Sequence, residues 1–138
     1  MTCCIQKPIL SEELDKDNWV YKPWGAYLSH FLTDDKSVCF KTLIINSGHQ
    51  LSLQYHQQRS EFWYIHDESA VYQLTVGDNT EILRGRRTIT IPIGEKHTIL
   101  NMSSIPLNIS ETQYGYCEES DIVRIYDPYA DQRGNEQN

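Results

Sequence analysis

Between Val38 and Tyr114 this chain never keeps one hydrophobic pattern for long. Short alternating or apolar runs are cut off by turn signals at Asn46-Ser47-Gly48, Gly77-Asp78-Asn79, Gly85, Pro92-Ile93-Gly94 and Ser103-Ser104. The runs between them are 38–45, 51–56, 61–65, 70–76, 80–83, 87–91, 97–102 and 107–114. Strands of this length, with turn signals roughly every 8 to 12 residues, indicate an all-β sandwich or barrel. No segment sustains the 3.6-residue period of an amphipathic helix, and no internal repeat is present, so bundles, α/β folds and solenoids are excluded.

The chain has 138 residues, enough for one domain with a proper core. Nineteen acidic against twelve basic residues give a net charge of −7, without a lysine- or arginine-rich block. Nucleic acid and anionic membrane are therefore not the expected partners, although a few local cations suffice for a small phosphorylated ligand. No run is long and apolar enough to span a membrane, and the N-terminus lacks the apolar core of a signal peptide. Cys3, Cys4, Cys39 and Cys117 show neither paired metal spacing nor a secreted disulfide pattern, so a cytoplasmic location is expected.

Three segments are expected: an N-terminal arm over 1–17, a β domain over 18–127 and a flexible polar tail over 128–138. Ser11 is placed to cap a helical turn, or the arm lies across the body. The run WVYKPWGAY, Trp19 to Tyr27, sets four aromatics around a Pro23 to Gly25 corner and should dock on the core. Asp121 to Asp127 is too short to choose between strand and helix.

The chemistry gathers in LSLQYHQQRSEFWYI, Leu51 to Ile65. On a strand Gln54 and His56 share a face, and after a turn at 57–60 Glu61 and Trp63 share another. A hairpin there brings Gln54, His56 and Glu61 to one mouth. His97, following Pro92 and Gly94 into a further strand, supplies a second imidazole. An amide oxygen, two imidazoles and a carboxylate suit one divalent ion such as Zn, Mn, Fe, Co or Ni.

The spacing of Gly48, Gln54, His56 and Glu61, followed by Pro92, Gly94, His97 and Asn101, resembles the two motifs of the cupin family. Lys22-Pro23-Trp24-Gly25 with Tyr27, LSLQYHQQRSEFW, and Asp121 to Arg124 with Asp127 and Tyr129 resemble the C-terminal, type II phosphomannose isomerase domain of mannose-1-phosphate guanylyltransferases. The resemblance implies a double-stranded β-helix, a jelly-roll barrel with the metal at its mouth. It implies interconversion of mannose 6-phosphate and fructose 6-phosphate through a metal-stabilised enediolate, and a homodimer. It also implies metal ligands Gln54, His56, Glu61 and His97, with Arg59 in the family's arginine position between the second ligand and the glutamate. No nucleotidyltransferase domain accompanies these motifs, so the chain alone is not expected to make GDP-mannose. Asp67-Glu68 replaces the glycine after the first motif, one extra residue separates Gly85 from Pro92, and the C-terminal tyrosine–glycine–arginine ending reads Tyr129 to Arg133.

Arg59 and Lys96 are the catalytic candidates, and Tyr55, His49 and His66 are further possible bases. Arg59, Arg124 and Lys22 are candidates for the phosphate, with Arg133 behind them. Arg84, Arg86 and Arg87 look like a solvated turn. Trp63 would floor the sugar site or sit in the core. The alternatives in other classes are a non-catalytic cupin that binds a sugar or sugar nucleotide, and another cupin enzyme such as an epimerase or oxygenase.

Overall fold

The computed structural model describes residues 18–133, so the expected arm over 1–17 and the last five positions of the tail lie outside the described residues. The regular structure of the described chain is almost entirely strand, in the order β1 (Trp19–Lys22), β2 (Gly25–Leu32), β3 (Val38–Ile45), β4 (Leu53–Tyr55), β5 (Arg59–Ile65) and β6 (Val71–Val76). Then come β7 (Asn79–Arg84), β8 (Arg87–Ile91), β9 (His97–Asn101), β10 (Leu107–Gly115) and β11 (Val123–Tyr126), and a short helix α1 (Ala130–Arg133). They form two antiparallel sheets, one ordered β1-β2-β3-β10-β5-β8 and the other β11-β4-β9-β6-β7.

Alternation places the core. Along β3, β10 and β5 every second residue faces inward, and partners in register share a face. Leu43, Ile109 and Ile65 thus form one inward row, with Ile45 and Leu107 in the next. Tyr72 and Ile99 from the second sheet pack against them in the same apolar cluster. Each such side chain stabilises the fold by about 1.5–3 kcal/mol through burial.

The aromatic corner proves to be a hairpin. Lys22 pairs with Gly25 across a two-residue turn, and Trp19 and Trp24 are buried. Gly25 is required there, because a Cβ would stand 1.9 Å from the Ile44 carbonyl oxygen. Strand β2 was absent from the expected series, and its burial explains why: the second half of GAYLSHFL is exposed, so no alternation marks it. The ambiguous stretch near the C-terminus is a strand, since β11 pairs Val123 with Tyr55 and Arg124 with Gln54.

One expectation needs correction. The tail is not loose from 128 onward: Tyr129 is buried in the core and its hydroxyl accepts the Gln50 N–H at 3.1 Å, with α1 following. An aromatic ring with that much surface to bury holds its segment down despite polar neighbours. Cys39 and Cys117 are buried free thiols, whereas Cys3 and Cys4 lie outside the described residues.

Candidate metal centre

His56 follows the end of β4, Glu61 lies within β5 and His97 opens β9. One ligating atom from each falls within 4.8 Å of the others, and all three side chains are buried. The imidazoles are oriented from behind. His56 Nδ1 lies 2.5 Å from the Asp121 carbonyl oxygen and His97 Nδ1 lies 2.9 Å from the Glu95 carbonyl oxygen. A carbonyl only accepts, so both Nδ1 atoms carry the proton and both Nε2 atoms turn lone pairs inward, the arrangement a metal-binding histidine needs. The Asp121 carboxylate also accepts the N–H groups of Gln57 and Gln58, each at 2.9 Å, fixing the turn between β4 and β5.

These lone pairs meet a carboxylate. Glu61 Oε2 stands 3.1 Å from His56 Nε2, and Glu61 Oε1 stands 3.5 Å from His97 Nε2. His97 Nε2 is fully buried and lacks a hydrogen-bond partner. Acceptors facing acceptors inside a protein call for a cation. Protonation of the imidazoles answers the same demand for positive charge. Burial opposes a charged Glu61, but the two imidazoles outweigh it and hold the carboxyl well below the usual range. Burial likewise opposes a charged His97, but Glu61 outweighs it and raises the imidazole. The donor set and its orphaned nitrogen therefore fit a divalent metal ion.

Arg59 already brings positive charge to this place. Its Nε donates to Glu61 Oε2 at 3.1 Å, one terminal nitrogen to His56 Nε2 at 3.2 Å, and the other to the Glu118 carbonyl at 3.3 Å. The guanidinium is thus turned onto the candidate ligands, whereas the sequence suggested a phosphate grip.

A cavity opens beside the triad, lined by the cations Lys22, Lys41, Arg59 and Arg124 and the acids Glu61, Glu111 and Glu119. Gln54 lines it too, in register with His97 on one side and Arg124 on the other. The structure therefore brings together Gln54, His56, Arg59, Glu61, Lys22 and Arg124, with His97 directly behind.

It does not bring Lys96 or Trp63 to the cavity wall. Lys96 pairs with Asp78 at 3.3 Å on the surface, because the residue before an inward strand position points away. Trp63 does face inward, but one row deeper than Glu61: it is 0% exposed, donates Nε1–H to Glu111 at 2.9 Å and packs edge-on against His97. Tyr55, His49 and His66 are also absent from the lining. His66 bonds Ser110, and His49 stacks on Tyr129.

Two buried, charged lining residues went unread in the sequence, Lys41 and Glu111. The signal was there: each is a charged residue at an inward position of a strand face that begins or ends apolar, Cys39-Lys41-Leu43-Ile45 and Leu107-Ile109-Glu111-Gln113.

Residues 10–127 match the family described as Mannose-6-phosphate isomerase C-terminal. The chain belongs to this family. Over 111 residues, 80% of the chain, it is 38% identical to the xanthan biosynthesis protein XanB of Xanthomonas campestris pv. campestris, strain B100. Over the same share it is 39% identical to the alginate biosynthesis protein AlgA of Pseudomonas aeruginosa and 36% identical to a mannose-1-phosphate guanylyltransferase of Escherichia coli K12. The matched region is 23%, 22% and 22% of these relatives' own lengths, so the chain matches less than a quarter of each.

Among solved structures, the cupin domain of Schizosaccharomyces pombe Cnp3 superposes with a TM-score of 0.59 at 14% identity, covering 65% of this chain and 64% of that one. The nucleoside dehydratase Pac13 gives 0.63 at 12% identity over 80% and 87% of the two chains. At that identity the likeness establishes the fold, a cupin barrel, which this family member shares.

Proposed function

We propose that this family member is a metal-dependent sugar-phosphate isomerase that interconverts mannose 6-phosphate and fructose 6-phosphate. The observation that carries the reading is the pairing of two inward imidazole lone pairs and a carboxylate with a cation-lined cavity. That combination suits an oxygen-rich, anionic ligand. The identity to proteins named for guanylyl transfer on mannose 1-phosphate and for polysaccharide biosynthesis supports a phosphosugar of the mannose type.

Held by Gln54, His56, Glu61 and His97, a divalent ion would supply positive charge against the oxygens at C1 and C2 as the carbonyl moves between them. The chain's own groups do the rest. Asp121 and Glu95, through their carbonyls, keep both imidazoles in the ligating tautomer. Arg59 anchors Glu61 and His56 to the wall formed by residue 118. Lys22 and Arg124, on β1 and β11 at the cavity edge, are the cations we assign to the phosphate.

The test is conversion of mannose 6-phosphate by the purified chain supplied in turn with Mn, Zn, Co, Fe or Ni. Turnover with at least one metal is expected. Absence of turnover with all of them, alongside tight sugar-phosphate binding, would replace the isomerase by a non-catalytic binding module.

A homodimer is also proposed, with the exposed Phe31 and Leu32 of β2 as part of its surface. A monomeric mass in light scattering at working concentration would contradict it. Among the described residues no helix is long and apolar enough to cross a membrane; a cytoplasmic location is a proposal that fractionation of the source cells would test.

A further inference from the structure

Isomerisation needs a base beside the sugar that is not holding metal. The cavity wall beside the triad offers one. Glu111 is buried, yet it lines the cavity, and its two carboxylate oxygens accept from Trp63 Nε1 at 2.9 Å and Gln113 Nε2 at 2.5 Å. Both donors are themselves fully buried, so the carboxylate is held in one orientation. Lys41 is its register partner on β3 and shares its inward face. A carboxylate inside an apolar barrel is costly unless it serves a purpose, and this one is no part of the ligand set.

We propose that Glu111 is the base that moves the proton between C2 and C1 of the bound sugar phosphate, with the Lys41 ammonium facing the adjacent oxygens. The inference rests on the isomerase reading above and names the residue that reading leaves open. The other lining groups are accounted for. Burial pushes the Tyr27 phenol up, so it stays protonated. Lys41 stays charged, since burial's opposing effect is outweighed by Glu119 and Glu111. Arg59 and Arg124 do not deprotonate, and Glu119 is exposed and ion-paired with Lys41. Burial raises the Glu111 carboxyl above the usual range, the direction that suits a base working near neutrality.

The step balances. Glu111 takes the proton from C2 of the open-chain aldose, the C–H electron pair becomes the C1=C2 double bond, and the carbonyl π pair moves onto O1. The O2 hydroxyl proton passes to O1. Glu111 then returns its proton to C1 on the double-bond pair, while the electron pair left on O2 forms the new carbonyl. Glu111 ends as it began, and no further reactant is consumed.

The experiment uses the metal-loaded chain and mannose 6-phosphate deuterated at C2. Turnover and loss of deuterium to solvent are followed by NMR, and metal content and sugar-phosphate affinity are measured in parallel. Glu111→Gln is expected to lose at least 100-fold in both turnover and C2 exchange, with metal content retained and affinity within about threefold of wild type. Glu111→Asp, which keeps the carboxylate but draws it back, should lose about tenfold in turnover at unchanged KM; it decides the matter if the glutamine variant does not fold. Active wild type with either variant within threefold of it in turnover and exchange overturns the assignment of Glu111 alone. Wild type that neither isomerises nor exchanges overturns the isomerase reading and this inference with it.

Discussion

The two ends of one set of strands differ in chemistry and not in burial. Toward one end of β3, β10 and β5 the inward row is Leu43, Ile109 and Ile65, at 5%, 0% and 0% exposure. The next row the other way is Lys41, Glu111 and Trp63, and beyond it stands Cys39, Gln113 and Glu61. Lys41, Glu111, Gln113 and Glu61 are only 5%, 5%, 1% and 3% exposed. Alternation decides which side chains enter the barrel; residue type then decides whether that level is core or site. Burying charge costs free energy that burying leucine does not, so the polar end is there for binding and the apolar end for stability.

The comparison can be broken at several points. The largest effect expected is from His56→Ala or Glu61→Ala, which should remove bound metal and lower turnover by about a thousandfold, several kcal/mol in the transition state. Metal analysis beside steady-state kinetics checks this, and either variant with full metal would contradict the ligand assignment. Ile109→Ala should do the reverse. It is expected to cost about 2–5 kcal/mol in urea unfolding while leaving metal affinity unchanged, and a metal defect without a stability defect would merge the two ends.

Arg124→Ala sharpens the polar end itself. Losing a charged contact to phosphate is expected to raise KM about tenfold or more with kcat little changed, because the phosphate is bound alike in ground and transition states. Arg59→Ala should lower metal affinity as well as substrate affinity, since its guanidinium holds Glu61 and His56 in place; an effect on KM alone would return Arg59 to the phosphate. The smallest effect is reserved for the surface. Arg86 reaches Glu68 at 3.7 Å with both side chains exposed, so Arg86→Ala should change stability by less than about 0.5 kcal/mol.

How much of this was legible in the sequence follows from what each signal depends on. Turn residues and alternation are local, and they placed the strands from β3 to β10 and the mouth where Gln54, His56 and Glu61 meet. Strand β2 escaped because an exposed strand needs no alternation, and Tyr129 because its anchoring partner, Gln50, lies far away in the chain. Lys96 was misplaced by one residue of pleat, and Trp63 takes the core position of the two open to it, one row below the cavity wall. Lys41 and Glu111 were within reach of the pattern. Their significance lies in the register that puts them side by side, which no single strand carries.

The central claim is that the polar end binds one divalent ion through His56, Glu61 and His97. Titrating Co²⁺ into the metal-stripped chain, with visible absorption as the readout, tests it most directly. Saturation at one ion per chain is predicted, with the absorption band lost or shifted in His97→Ala. No saturable binding, or a wild-type stoichiometry and spectrum in His97→Ala, would contradict it.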